Sequence, residues 1–333
     1  MKAIVTGAAG FIGSRLCHDL VNSGYEVLGV DAFRTHYSRE LKSLRVAELL
    51  EPAGIKLCEL DLINFEEFNE LVGDFSPTTI FHLAAQPGVR VPISQSENYI
   101  QDNLVAHGNV MKSAVLNGIP KVLYASSSSV YGDSSTPPFS ETERNLLPIS
   151  LYGSTKLANE IVSPNFVKNS DTRSRGLRFF TVYGPYGRPD MAYFRLIASA
   201  LDGEEFKLFG DGQVKRDFTF VDDISNMTIK LDQQLSDIPV GTSDVVNIGG
   251  GAPHSMNDLV ASIENVLKLK VRIKYVEKNS SDTKFTLADT SLIQELTGTQ
   301  PRTDLSVGIK QVINWAERPQ IKQKMREWVE SST

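Results

Sequence analysis

Residues 6 to 16 read T-G-A-A-G-F-I-G-S-R-L, entered from an apolar run, Lys2 to Thr6, and left through a helical pattern. Gly7, Gly10 and Gly13 stand three residues apart. Glycines so placed let the backbone turn tightly and approach a pyrophosphate, whose charge sits on the free N–H groups and positive dipole of the helix N-terminus. Strand before, helix after, and an acid at the end of the next strand make this a dinucleotide-binding turn. That acid is Asp31, which can accept from the adenine-ribose hydroxyls and would repel a 2′-phosphate, favouring NAD over NADP. Arg34 lies close enough in sequence to receive such a phosphate, which keeps the second cofactor open. Asp61 and Leu62, after the third strand, would lie near the adenine.

Working outward, short runs rich in Val, Ile, Leu and Phe recur between helical patterns: Lys2 to Thr6, Tyr25 to Val30, Ile55 to Leu60, Thr79 to Leu83, Lys121 to Ser126 and Gly176 to Thr181. Near-continuous apolar runs are what parallel strands covered on both faces require. The alternation predicts an α/β fold, a Rossmann-type doubly wound parallel sheet, with a smaller C-terminal α/β substrate domain. Residues 1–180 are expected to form the NAD-binding domain and 181–333 mainly a nucleotide-sugar-binding domain, with a later segment near 219–245, Thr219 to Leu231 in particular, returning to the sheet.

Composition narrows the partners. A chain of 333 residues with formal net charge -6 lacks the clustered Lys and Arg that a nucleic acid needs. Cys17 and Cys58 are far apart in apolar surroundings and read as buried reduced thiols. His18, His36, His82, His107 and His254 show no metal-ligand spacing, so no metal is expected. No basic leader precedes the first strand and no run of about eighteen apolar residues occurs, so no membrane partner and a cytoplasmic location are expected.

A second stretch, S-L-Y-G-S-T-K-L-A-N-E (Ser150 to Glu160), puts Tyr152 and Lys156 four residues apart at the start of a helix. Such residues share a face, with Cβ atoms ~5–6 Å apart, so both can reach one bound ligand. A phenol titrates near 10 in water. A neighbouring ammonium and a positive nicotinamide ring would favour its phenolate, making Tyr152 a base near neutral pH. Lys156 can also hydrogen-bond the nicotinamide ribose.

The glycine turn together with Tyr152-x-x-x-Lys156 resembles the extended short-chain dehydrogenase/reductase superfamily, within its NAD-dependent epimerase/dehydratase family, over nearly the whole chain. The resemblance implies an NAD site that also draws on Phe11, Ile12, Leu83, Ala84, Ala85 and Tyr183. A-S-S-S-S-V-Y-G (Ala125 to Gly132) ends the fifth strand. By similarity to sugar-nucleotide epimerases, Ser127 would hydrogen-bond the sugar oxygen beside Tyr152, with Ser128 and Ser129 as supporting or substrate contacts. Superfamily dehydratases and nucleotide-sugar decarboxylases carry a carboxylic acid where this chain has Ser129.

T-V-Y-G-P-Y-G-R-P-D-M-A-Y-F (Thr181 to Phe194) resembles the UDP-glucuronate 4-epimerases, in which the matching Thr181 and Arg188 would hold the C6 carboxylate. G-Q-V-K-R-D-F-T-F-V-D-D-I (Gly212 to Ile224) resembles the diphosphate-binding stretch and implies Arg216 as a phosphate ligand. Gly88 and Arg90 would line the sugar pocket, and Asp282 would reach the UDP ribose. The resemblance therefore implies an isomerase converting UDP-glucuronate to UDP-galacturonate through a transient 4-keto sugar. The alternatives are a neutral UDP-sugar 4-epimerase, a UDP-glucuronate decarboxylase and, more remotely, a non-catalytic NAD-binding sensor.

Two departures stand out. Ala32 follows Asp31 where relatives often carry Asn. Pro164 falls inside the helix begun near Tyr152, cannot donate to Glu160, and is expected to kink or end it. That helix usually belongs to a four-helix homodimer interface in the family.

Overall fold

A computed structural model of the chain describes all residues except 90–93, 95, 134–135, 278–284 and 333. Twelve strands are described, β1 (Lys2–Thr6), β2 (Glu26–Asp31), β3 (Lys56–Glu59), β4 (Thr79–His82), β5 (Lys121–Ser127), β6 (Arg173–Phe179), β7 (Thr181–Tyr183), β8 (Glu205–Phe209), β9 (Lys215–Phe220), β10 (Ser243–Ile248), β11 (Pro253–Ser255) and β12 (Arg272–Val276). Seven form one sheet in the order β10-β6-β5-β4-β1-β2-β3. Every pairing within it is parallel. The order reverses between β1 and β4, which opens a crevice at the carboxyl ends of those strands.

The apolar runs become strands because both faces are covered. Ala3, Val5 and Phe81 point into one core with Leu16, Leu20 and Leu177. Ile4, Ile80 and Val122 point into the opposite one with Phe68, Val110 and Met111. At about 25 cal/mol per Å² of apolar area, each such side chain contributes roughly 1.5–3 kcal/mol. Parallel strands with this burial on both faces cannot alternate polar and apolar residues.

Two boundaries differ from the sequence reading. The run Gly176 to Thr181 is divided at Phe180: β6 pairs with β5, whereas β7 leaves the sheet and pairs with β9. With β11, those strands make a separate three-stranded sheet. The segment beginning at Thr219 supplies first the end of β9, then a helix, Val221–Gln234, that packs on the helix Phe11–Asn22. Strand β10 follows and adds to β6 as the sheet edge.

A further core forms around Tyr193, Phe194, Leu196, Ile309, Trp315 and Trp328, outside the seven-stranded sheet. Cys17 is buried, but Cys58 is only half-buried, because β3 is an edge strand. The helix Leu151–Val167 runs past Pro164 for three more residues, so the expected stop comes about one turn later than the proline. The carbonyl of Pro164 accepts from Lys168 N at 3.1 Å and closes that last turn.

Candidate active site

The glycine turn is shaped by contacts that leave no room for side chains. A Cβ on Gly7 would lie 2.8 Å from Ala84 N and 3.0 Å from the Leu83 carbonyl carbon, and Gly7 has φ +71°. The turn therefore lies against the backbone leaving β4. Gly10 N donates to the Gly7 carbonyl at 2.9 Å, and Gly10 caps the helix Phe11–Asn22 with no side-chain acceptor on its first N–H groups. Phe11 is a core side chain and Ile12 packs partly against that core, so what this helix offers a ligand is its backbone end.

Asp31 closes the turn from β2. Its Oδ2 accepts from Ala9 N at 3.1 Å, its Oδ1 from Phe33 N at 2.8 Å, and Lys42 Nζ stands 3.4 Å from Oδ1. Arg34 is engaged elsewhere, 2.7 Å from Asp61 and 3.3 Å from Asp102. With two carboxylates already beside Arg34, a 2′-phosphate is disfavoured there. Asp61 also accepts from Ile63 N at 3.1 Å, and Leu62 is buried in the core. Ala84 N donates to Thr6 Oγ1 at 3.3 Å, and Ala85 is half-buried beside it.

Ser127, at the end of β5, starts a tight turn, Ser128–Val130, by accepting from Ser129 N at 3.1 Å; its Oγ also donates to Ser129 Oγ at 3.1 Å. The helix Leu151–Val167 begins against this turn. Ser150 Oγ accepts from Gly153 N at 3.0 Å as a cap. A Cβ on Gly153 would lie 2.7 Å from the Ser129 carbonyl oxygen, so only glycine lets the helix sit this close. Further along, Glu160 accepts from Arg178 Nε at 2.9 Å and Nη2 at 2.7 Å and from Ser126 Oγ, clamping the helix to β5 and β6.

Tyr152 and Lys156 share a face, with Nζ 5.8 Å from the phenol ring centre. The expectation about their electrostatics needs correction. Burial pushes the Tyr152 phenol up, and what opposes it is the charge of Arg188, followed by a hydrogen bond with Ser127. Burial also pushes Lys156 down, to about 8. Lys156 is 2% exposed and makes no hydrogen bond or ion pair to another described residue. Arg188, on the loop after β7, is the cation that most opposes the effect of burial on the phenol.

Arg188 follows β7. Its Nε donates to Asp190 Oδ1 at 3.0 Å and its Nη2 to Asp190 Oδ2 at 2.5 Å. The two side chains are 24% and 34% exposed, so solvent reaches the pair. Arg45, fully buried, ties the two sides together: it donates to Ala9 O at 3.1 Å, Tyr186 O at 2.9 Å and Gly187 O at 3.1 Å. Thr181 is half-buried at the start of β7. Gly88, at φ +103°, offers its carbonyl to Tyr99 Oη, and the Tyr99 ring centre is 6.4 Å from that of Tyr152.

Tyr183 does not serve the cofactor side with its side chain. Its ring packs against Tyr193, Phe218 and Phe220 and its hydroxyl donates to Asp304 O at 3.4 Å, because β7 turns that side chain into the outer core. Arg216 is half-buried on β9, with Nη1 donating to Lys215 O at 3.0 Å. Ser128 and Ser129 are half-buried in their turn. Arg90 and Asp282 lie outside the described residues. Asp190, Arg45, Lys42 and His36 were missed in the sequence. His36 sits beside Lys42 and Arg188 and is held neutral, down to about 3, first by burial and then by those cations. Asp190 stood two residues from Arg188 within a quoted motif, and that adjacency was its one signal.

A dinucleotide fits these residues: a turn whose Gly7, Gly10 and Gly13 have no Cβ, an uncapped helix end, an acid beside it, and a buried ammonium that makes no hydrogen bond or ion pair to another described residue. The fold defines a Rossmann-type protein with Tyr152 and Lys156 on one face of the helix that follows β5. The model of the NAD dependent epimerase/dehydratase family matches residues 3–249, and the chain belongs to that family. It is 38% identical to UDP-glucuronate 4-epimerase 4 of Arabidopsis thaliana over 328 residues, covering 95% of this chain and 75% of that one. It is 35% identical to UDP-glucuronate 4-epimerase of Thermodesulfobacterium geofontis, covering 94% and 95%. The solved UDP-glucuronic acid 4-epimerase of Bacillus cereus, in complex with UDP-glucuronic acid and NAD, superposes with TM-score 0.87 at 32% identity over 96% of this chain and 99% of that one. No helix among the described residues is long and apolar enough to cross a membrane.

Proposed function

We propose that this chain is an NAD-dependent UDP-glucuronate 4-epimerase, interconverting UDP-glucuronate and UDP-galacturonate through a 4-keto sugar. The observation that carries the reading is that an arginine and a phenol from different elements come within reach of each other's charge. Arg188, a carboxylate-binding group from the loop after β7, exerts its charge on the phenol of Tyr152, a base on the helix after β5. Acid recognition and proton abstraction are thereby brought to one sugar. The relatives named above carry the same activity in their names over nearly all of this chain.

Gly7, Gly10, Gly13, Asp31 and Lys156 would hold NAD, whose chemistry when bound is reversible hydride exchange at C4. Tyr152 takes the proton of the C4 hydroxyl while Ser127 hydrogen-bonds the same oxygen. Arg216 keeps the diphosphate, so the planar 4-keto sugar would turn about that linkage and present its other face for return of the hydride to C4, and Tyr152 returns the proton to the C4 oxygen. The intermediate is a β-keto acid, prone to lose carbon dioxide when its carboxylate aligns with the carbonyl π system. Arg188 and Thr181 hold the carboxylate out of that alignment. Ser129, lacking a carboxyl group, gives no second acid for elimination.

The sheet of β1 to β6 with β10 acts as the NAD-binding domain and the outer core as the nucleotide-sugar domain. A homodimer is also part of this reading. Ile161 (62% exposed) and Val162 (39%) on the helix Leu151–Val167, with Leu116 (64%), leave apolar surface that a second copy would cover. We place the protein in the cytoplasm.

The test is incubation of the purified chain with UDP-glucuronate, separating nucleotide sugars and trapping carbon dioxide. UDP-galacturonate without stoichiometric carbon dioxide is expected. UDP-pentose as the main product, or turnover confined to UDP-glucose, rejects the reading in favour of a decarboxylase or a neutral-sugar epimerase.

A further inference from the structure

We propose that Asp190 is the residue that makes Arg188 a uronate receptor, holding the guanidinium side-on so that its end-on edge faces the sugar. This rests on the reading of the cleft as a UDP-glucuronate site and adds a specificity-determining residue to it.

A guanidinium carries five N–H donors in a planar fork with two bidentate edges, Nε with Nη2 and Nη1 with Nη2. Asp190 occupies the first, at 3.0 Å and 2.5 Å. The second edge makes no hydrogen bond to another described residue, and a carboxylate fits there with both its oxygens. Asp190 and a sugar acid are thus not rivals for one edge.

The pair is built into rigid backbone. Pro189 stands between the two residues, and Met191 N donates to Arg188 O at 3.2 Å, closing the turn that leads into the helix Ala192–Asp202. Arg45 grips the preceding carbonyls of Tyr186 and Gly187. Asp190 remains ionised: burial raises its carboxyl, but the charge and hydrogen bonds of Arg188 carry it below the ordinary range. Without the aspartate, the long Arg188 side chain would sample several rotamers in a cleft that solvent reaches. Locking it leaves less disorder to remove when the sugar acid binds.

The experiment compares the NAD-loaded wild type with Asp190→Asn and Asp190→Glu. Calorimetry measures binding of UDP-glucuronate, UDP-glucose and UDP, and product analysis measures carbon dioxide released per epimerisation. The wild type should prefer UDP-glucuronate to UDP-glucose. Asp190→Asn should lose about tenfold in that preference, as expected for one charge-assisted bidentate contact loosened. UDP binding should stay unchanged and carbon dioxide release should rise. Asp190→Glu should recover part of the preference, which a merely structural defect would not show. An unchanged or increased preference in Asp190→Asn overturns the inference, as does equal weakening toward UDP and UDP-glucose. A wild type indifferent to the sugar acid instead rejects the underlying reading of the site.

Discussion

Gly13 sits directly over the Gly7 carbonyl: a Cβ there would come 2.0 Å from that oxygen. Since real Cβ atoms do not approach an oxygen so closely, Gly13→Ala must push the helix Phe11–Asn22 off the turn. The expected cost is about 1–3 kcal/mol from overpacking, together with loss of co-purifying NAD. Gly24→Ala is the control, because nothing lies within 4 Å of its would-be Cβ and only its φ of +85° is strained. It should cost about 1 kcal/mol and leave NAD content alone. Thermal unfolding and NAD content of both variants decide; NAD retained at wild-type level by Gly13→Ala refutes the close-approach account.

Lys156 offers a prediction with a definite pH sign. Its ammonium titrates at about 8 in the folded chain against 10.5 unfolded. Above about pH 10.5 it is neutral in both states and contributes nothing. As pH falls toward 8 the unfolded chain binds the proton first, so a destabilisation grows, and below 8 it is complete at about 3 kcal/mol. Lys156→Met, stripped of NAD, should therefore unfold at higher temperature than wild type at pH 7. That gap should close as pH rises from about 8 to about 10.5, and the variant should be inactive. A gap independent of pH in melting scans would show that the ammonium is not what burial penalises.

Tyr152→Phe removes a hydroxyl assigned to the reaction and leaves the helix face intact. Turnover should drop by about 10²–10⁴-fold, the usual share of a positioned base, with NAD content and melting temperature near wild type. Retention of wild-type turnover would assign the proton transfer to another group.

Glu160 and Arg178 form a paired charge behind the reactive turn, their side chains 6% and 3% exposed. Removing one partner leaves the other buried and unpaired, so Glu160→Ala should cost about 3–5 kcal/mol in urea unfolding. Replacing both by leucine should cost less than the single change. If the double variant loses as much as Glu160→Ala and Arg178→Ala summed, the unpaired charge is not the cause.

Much of this molecule was legible in residue order. The glycine turn, Asp31, the parallel strands and the Tyr152–Lys156 pair depend on periods of one to four residues, and local backbone geometry enforces such periods wherever the chain folds. The grip of Asp190 on Arg188 was half visible, since only Pro189 separates the partners, but which edge of the guanidinium remained open was not. Tertiary structure alone decided that Arg45 would join Ala9 to Gly187 and that Arg34 would be taken by Asp61 and Asp102. It also decided that Tyr183 would face the outer core and that the charge tempering Tyr152 would be Arg188. Burial and long-range charge depend on which elements come to lie together, and residue spacing carries no record of distances across a cleft.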